Sequence, residues 1–131
     1  MTPLKKQTQP DISVTVCSYS KVLDIISSKW SALVIYALED GTIRYGDIQR
    51  RIEGISKKML TQTLRQLERD GLIWRELHAS VPPITQYTLT PLGETLLLPL
   101  RELKQWANSH YADVKKARVD YDLLHGKIDS E

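Results

Sequence analysis

Residues Gly54 to Leu72 read GISKKMLTQTLRQLERDGL, a polar stretch with a glycine at either end. On a helical wheel Leu60, Leu64 and Leu67 fall within about 60° of one another. Lys58, Gln62, Arg65 and Arg69 lie on the opposite side, with Thr61 flanking them. Such a helix lends one face to a core and holds the other in solvent. Beyond Gly71 the side-chain period drops from 3.6 to about 2: LIWRELH and ITQYTLT are rich in β-branched and aromatic residues and are separated by ASVPP. A polar helix running straight into a β-hairpin restricts the fold to few choices.

The flanking segments narrow them further. From Ser18 the pattern is helical, with Tyr19, Val22, Leu23 and Ile26 on one face. Ser27 or Ser28 is placed to cap a second helix whose apolar stripe is Trp30, Leu33, Val34, Ala37 and Leu38. Asp40-Gly41 ends it. Thr42 to Arg44 has room for one bridge of strand. Tyr45 to Ile52 predicts a short helix that buries Tyr45, Ile48 and Ile52. Glu53-Gly54-Ile55 is a tight turn and Ser56 an N-cap, the pattern of a helix-turn-helix. After the hairpin, Thr90-Pro91 opens a last helix, proline being suited to the first helical position. Its stripe is Leu92, Leu96, Leu100, Leu103, Ala107, Tyr111 and Val114, with Pro99 expected to kink or divide it. This order predicts a mainly α protein with a small β-hairpin, a winged helix-turn-helix. Residues 1–16 read as a flexible arm, 17–119 as the domain and 120–131 as a frayed tail.

A chain of 131 residues is long enough for one core without disulfides or metals. Its single cysteine, Cys17, allows no intrachain disulfide, and the three histidines have no metal-ligand spacing. No catalytic constellation or phosphate-binding glycine loop is present, so no enzyme, cofactor or metal site is expected. The longest apolar runs, Ala32 to Leu38 and Leu96 to Leu100, are far too short to span a bilayer. No apolar segment follows Lys5 and Lys6, so a cytoplasmic protein is expected. The formal charge of +2 is unevenly spread: from Arg44 to Arg75 eight basic residues face four acidic ones. Concentrated positive charge favours phosphate, although a solvated helical face would show the same pattern.

The run GTIRYGDIQRRIEGISKKMLTQTLRQLERDGLIWR (Gly41 to Arg75), the Lys29-Trp30 pair, and VPPITQYTLTPLG (Val81 to Gly93) resemble HxlR-type winged-helix transcriptional regulators. The resemblance covers roughly Cys17 to Trp106. It implies a bacterial, homodimeric protein bound to pseudo-palindromic operator DNA, expected to act as a repressor. It also implies dimerisation through the first and last helices, with Tyr19, Leu100, Leu103, Trp106 and Tyr111 as candidate seam residues. Members of this family often respond to thiol-reactive electrophiles or aldehydes. Here Cys17 precedes Ser18 where the family has Cys-Pro, Ser27-Ser28 replaces Gly-Gly, and Gln86 replaces glutamate.

In that setting the start of the Ser56 helix enters a major groove. Lys57, Lys58 and Arg65 can reach guanine edges or phosphates, Gln62 can pair with adenine, and Thr61 flanks them. Ser56 and the open N–H groups suit a phosphate oxygen. Arg44, just before the first motif helix, is as much a structural candidate as a phosphate contact. Arg75 on the hairpin is a second backbone candidate, whereas His78 reads as merely exposed and Arg69 as paired with neighbouring acids. Trp30 and Trp74 are expected to pack in a core or an interface. Cys17 reads equally as a small buried hydrophobe or as a redox-sensing thiol, since a helix start with Lys21 one turn on favours a thiolate. Two further readings stay open: a non-covalent effector between the dimer helices, and a winged helix that docks a protein instead of DNA.

Overall fold

The computed structural model describes residues 17–126. The expected N-terminal arm and the last five residues lie outside this range. In chain order the elements are α1 (Ser18–Ile26), α2 (Lys29–Ala37), β1 (Ile43–Arg44), α3 (Tyr45–Arg51), α4 (Lys57–Arg69), β2 (Ile73–His78), β3 (Ile84–Leu89), α5 (Pro91–Glu94) and α6 (Leu97–His125). The winged helix-turn-helix expected from the sequence is therefore the observed fold. Two compact units divide at Thr95.

In the first unit, α4 packs against α2 and β2. Leu60, Leu64 and Leu67 are fully buried there with Val34, Ile35, Leu38, Ile48 and Ile73. Leu33 was expected in this core but is 42% exposed. Ile35, two residues on, takes the inward direction because α2 is buried along the Val34–Ile35–Leu38 edge. Ser28 caps α2 by accepting from the Trp30 N–H at 3.1 Å. The Arg51 guanidinium donates to the Ala37 carbonyl at 2.8 Å and so satisfies the other end. Gly54 turns the chain between α3 and α4 with a φ of 89°.

Helix α4 ends in a Schellman motif. Gly71 adopts φ 77°, its N–H reaches the Glu68 carbonyl at 3.0 Å, and the Leu72 N–H reaches the Leu67 carbonyl at 3.0 Å. Strand β2 follows at once and pairs antiparallel with β3 from Ile73↔Leu89 to His78↔Ile84. Strand β1 pairs with the other edge of β3 through Ile43↔Tyr87 and Arg44↔Gln86, giving the order β1-β3-β2. Only Ile73 of β2 is buried, so the rest of that strand stands out from the core as a wing. Trp74 is 58% exposed on it, so of the two places expected for it, a core or an interface, it does not take the core. Beyond Ile73 no layer of the described structure lies over the outer strand to cover the ring.

Thr90 ties the wing back to α4. Its N–H donates to the Leu72 carbonyl at 3.0 Å, its hydroxyl donates to the Gly71 carbonyl at 2.7 Å, and the same oxygen caps α5 by accepting from the Gly93 N–H. Gly93 approaches the Leu72 backbone so closely that a β-carbon would overlap the carbonyl oxygen.

In the second unit, α6 begins at Leu97, so the last helix is divided at Thr95–Leu96, ahead of Pro99 where a kink or division was expected. Pro99 falls in the first turn of α6, where its missing N–H costs no helical hydrogen bond. The helix continues to His125, whereas a frayed tail was expected from about residue 120. Lys116 pairs with Asp120 at 3.0 Å and Tyr121 stacks on His125, and no glycine or proline interrupts before Gly126.

Candidate nucleic-acid interface

The start of α4 is held in place by its own cap and by α3. Ser56 accepts from the Met59 N–H at 3.0 Å, as an N-cap serine should. The Tyr45 hydroxyl donates to the Lys57 carbonyl at 3.1 Å and lies 2.8 Å from Thr61 Oγ1. Tyrosine has one hydroxyl proton, so Thr61 is the donor in the second contact. These two bonds fix the first two turns of α4 to the first residue of α3. Sequence reasoning read Tyr45 only as a buried ring and missed its hydroxyl, because a partner 12 or 16 residues away leaves no trace in helical periodicity.

The candidate DNA-contacting residues separate by partner. Lys57, Lys58, Gln62 and Arg65 are exposed on α4, and none of the three cations has an ion pair among the described residues. Ser56 is exposed at the same end, with its hydroxyl proton available after capping. Thr61 is half-buried and its hydroxyl is engaged by Tyr45. Arg44 is exposed at the end of β1, where it precedes α3. Two of the eight basic residues of this segment are structural: Arg50 pairs with Asp47, and Arg51 holds the end of α2.

Arg75 is less available than expected. Its Nε lies 3.5 Å from Glu68 Oε1, joining the base of the wing to the last turn of α4. That pair also corrects the expectation for Arg69, which is exposed with no ion pair among the described residues. Glu68 faces Arg75, and Asp70 accepts from the Gln66 amide one turn earlier. His78 is exposed as expected, and its Nε2 sits 2.8 Å from Gln86 Oε1 across the hairpin. Tyr87, opposite Arg75 on β3, is 6% exposed, and burial raises its phenol above the ordinary value of 10.0 against the smaller opposing pull of Arg75.

Cys17 is half-buried and occupies the N-cap position of α1 without a side-chain capping bond. No residue of α1 is buried: Tyr19, Val22 and Leu23 all show apolar surface, Tyr19 at 69%. On α6, Leu103, Trp106 and Tyr111 are likewise exposed, as are Val119, Tyr121, Leu123 and Leu124. Leu100 is the exception among the candidate seam residues. It is 5% exposed within the single chain, like Leu97 one turn earlier, so its side chain is not offered to a second subunit. Among the described residues no helix is long and apolar enough to cross a membrane, and no group of His, Cys, Asp and Glu is gathered to hold a metal.

Residues 25–115 match the protein-family model described as HxlR-like helix-turn-helix. The uncharacterized HTH-type transcriptional regulator YkvN of Bacillus subtilis (strain 168) is 40% identical over 108 residues, which is 82% of this chain and 91% of YkvN. Among solved structures, ytfH from Salmonella typhimurium, assigned as a transcriptional regulator, is 39% identical with a TM-score of 0.71 and covers 79% of this chain and 92% of its own. The redox regulator HypR in its reduced form is 34% identical with a TM-score of 0.72, covering 76% of this chain and 99% of its own.

Proposed function

The chain belongs to the HxlR-like helix-turn-helix family of transcriptional regulators, and on that premise we propose that it represses transcription in the cytoplasm as a homodimer on pseudo-palindromic operator DNA. Each subunit inserts the first two turns of α4 into a major groove. Lys57, Lys58, Gln62 and Arg65 meet base edges or phosphates, Ser56 and the open N–H groups meet a phosphate, and Arg44 and Arg75 contact the flanking backbone. Thr61 acts from the second row, through its bond to Tyr45. The observation that carries this reading is the set of exposed cations along α4 with no ion pair among the described residues, on a helix start pinned by Ser56 and Tyr45.

Dimerisation through α1 and α6 is supported by their exposed apolar side chains, Tyr19, Leu103, Trp106 and Tyr111 foremost. Water-exposed apolar surface on this scale is the usual mark of an interface. The working domain is residues 17–119, with the end of α6 extending past it. Half-sites are then expected about 34 Å apart or at a multiple of that spacing. Selection of bound DNA from a random pool, followed by affinity measurements against salt, tests the whole reading. If six to ten phosphates are met, affinity falls by about 10³ to 10⁵ between 50 and 200 mM salt. Binding that ignores salt, or selection that returns no preferred sequence, refutes it.

The signal is assigned to Cys17. Its place at the start of α1, beside the proposed seam, and the likeness to the redox regulator HypR support sensing of thiol-reactive electrophiles or oxidants. With one cysteine per chain the chemistry is alkylation, sulfenic acid, or a disulfide between subunits or with a small thiol. Cys17→Ser should bind DNA normally and lose release by quinones or diamide. Release that persists in the variant removes Cys17 from the mechanism.

A further inference from the structure

The face of α4 that looks toward the wing encloses a polar cleft of about 250 Å³. Arg65 and Glu68 line it from the helix, and Arg75, Thr85 and Tyr87 line it from the sheet. The register explains why the sheet residues converge: Arg75 is the cross-strand partner of Tyr87, and Thr85 is two residues from Tyr87 on the same face of β3. The size is below the roughly 300–1,000 Å³ of pockets for drug-sized ligands, yet ample for a phosphate or a small carboxylate.

The electrostatics of the cleft favour an anion. Two guanidinium groups face one carboxylate, and that carboxylate is matched to Arg75 through Nε. Arg65 has no ion pair among the described residues. The Tyr87 side chain adds a polar group to the lining of the cleft. It is more than nine-tenths buried, and its hydroxyl makes no hydrogen bond to a described residue. No sealed side-chain oxygen or nitrogen is orphaned among the described residues, so the hydroxyl opens on the cleft instead of on the core. The charges of Arg75, Glu68 and Arg65 all act on it.

We infer that this cleft binds one oxyanion, a phosphate or a carboxylate, with the Tyr87 hydroxyl as donor at its floor, Arg65 and Arg75 as flanking cations and Thr85 at its rim. Guanidinium forks suit planar pairs of anionic oxygens, and a neutral phenol donates to the oxygen left over. Two sources carry that chemistry: a free small oxyanion acting as effector, and a phosphodiester of bound DNA. The second source rests on the proposed function, the first does not. A free oxyanion here would occupy ground beside the reading face of α4, so its binding would be linked to that of DNA.

The test uses the full chain without DNA, titrated with inorganic phosphate at constant ionic strength in calorimetry, with the Arg65 and Arg75 side-chain signals followed by NMR. Saturable binding of one phosphate per subunit is expected, weakened about tenfold or more in Tyr87→Phe, since a hydrogen bond to a charged acceptor is lost. Thr85→Val provides a second variant at the rim should the first lose its fold by circular dichroism. In the DNA arm, phosphate that competes with DNA, together with weaker DNA binding by Tyr87→Phe, assigns the site to a backbone phosphate. Phosphate binding that depends on Tyr87 while the DNA affinity of the variant is unchanged assigns it to a free oxyanion. If the wild-type chain binds no DNA yet keeps Tyr87-dependent phosphate binding, the proposed function fails and the oxyanion site stands. Phosphate binding equal in wild type and both variants, or none at all with unaltered DNA affinity in both, overturns the inference.

Discussion

Replacing Gly93 by alanine adds a single methyl group, and the structure forecasts a loss of stability far beyond that size. The new β-carbon would overlap the Leu72 carbonyl oxygen, lie 3.1 Å from the Leu72 carbonyl carbon and press on Leu89 Cδ2 at 3.2 Å. A flexible side chain could swing away, but the obstacle is backbone. The Leu72 carbonyl also accepts from the Thr90 N–H at 3.0 Å, so relief means breaking that bond and loosening the junction of α4, β2 and α5. Overpacking of this kind costs about 1–3 kcal/mol, and the hydrogen bond adds about 1 kcal/mol. The expected loss is therefore about 2–4 kcal/mol, a large part of the roughly 5–15 kcal/mol that holds a domain together. Gly46→Ala is the matched control: its β-carbon would meet only the end of the Arg50 side chain at 3.8 Å, within helix α3. Relief of helix-glycine entropy should stabilise that variant by about 0.5–1 kcal/mol. The assay is urea unfolding at fixed protomer concentration, followed by circular dichroism and tryptophan fluorescence to check that the transitions coincide. A Gly93→Ala midpoint within about 0.5 kcal/mol of wild type would refute the claim that the Leu72 backbone cannot yield.

Three further outcomes follow from the interface and its supports. Tyr45→Phe removes both bonds from α3 to the first two turns of α4; it should cost about 1 kcal/mol in urea and weaken DNA binding while the preferred sequence stays the same. Lys58→Ala and Arg65→Ala should each cost roughly 1–3 kcal/mol of affinity with relaxed preference where they meet a base, or lower the salt slope by about 1 where they meet a phosphate; variants that change neither remove those residues from the contact surface. Because burial raises the Tyr87 phenol above 10.0, its contribution to stability is complete below that value and is lost as pH rises through the folded-state value. Urea midpoints at about pH 9 and pH 10.5 should thus fall more steeply for wild type than for Tyr87→Phe.

Local chemistry made most of the scaffold readable before any coordinates. Ser28, Ser56 and Thr90 cap the helices they were expected to cap, and Gly71 ends α4, because each of these effects reaches only two to four residues. The break in the last helix falls at Thr95–Leu96, ahead of Pro99 where the sequence pattern put it. Interactions between distant segments were invisible. The bonds from Tyr45 to Lys57 and Thr61, the Arg75–Glu68 pair and the open Tyr87 hydroxyl all depend on how elements come to rest on one another. Periodicity also misjudged direction where several apolar residues compete. On α2, Ile35 took the inward place that the stripe had given to Leu33.

The hairpin tip has a consequence for what can be built onto this chain. Residues 79–83 are exposed throughout, and the strand pairing closes at His78↔Ile84, before the tip begins. No core side chain and no ladder bond depends on that segment, so its length is decoupled from the stability of the domain. A lengthened tip would extend the reach of the wing, and a fluorophore or short epitope placed at Val81 would report on that reach with the hydrophobic centre left as it is.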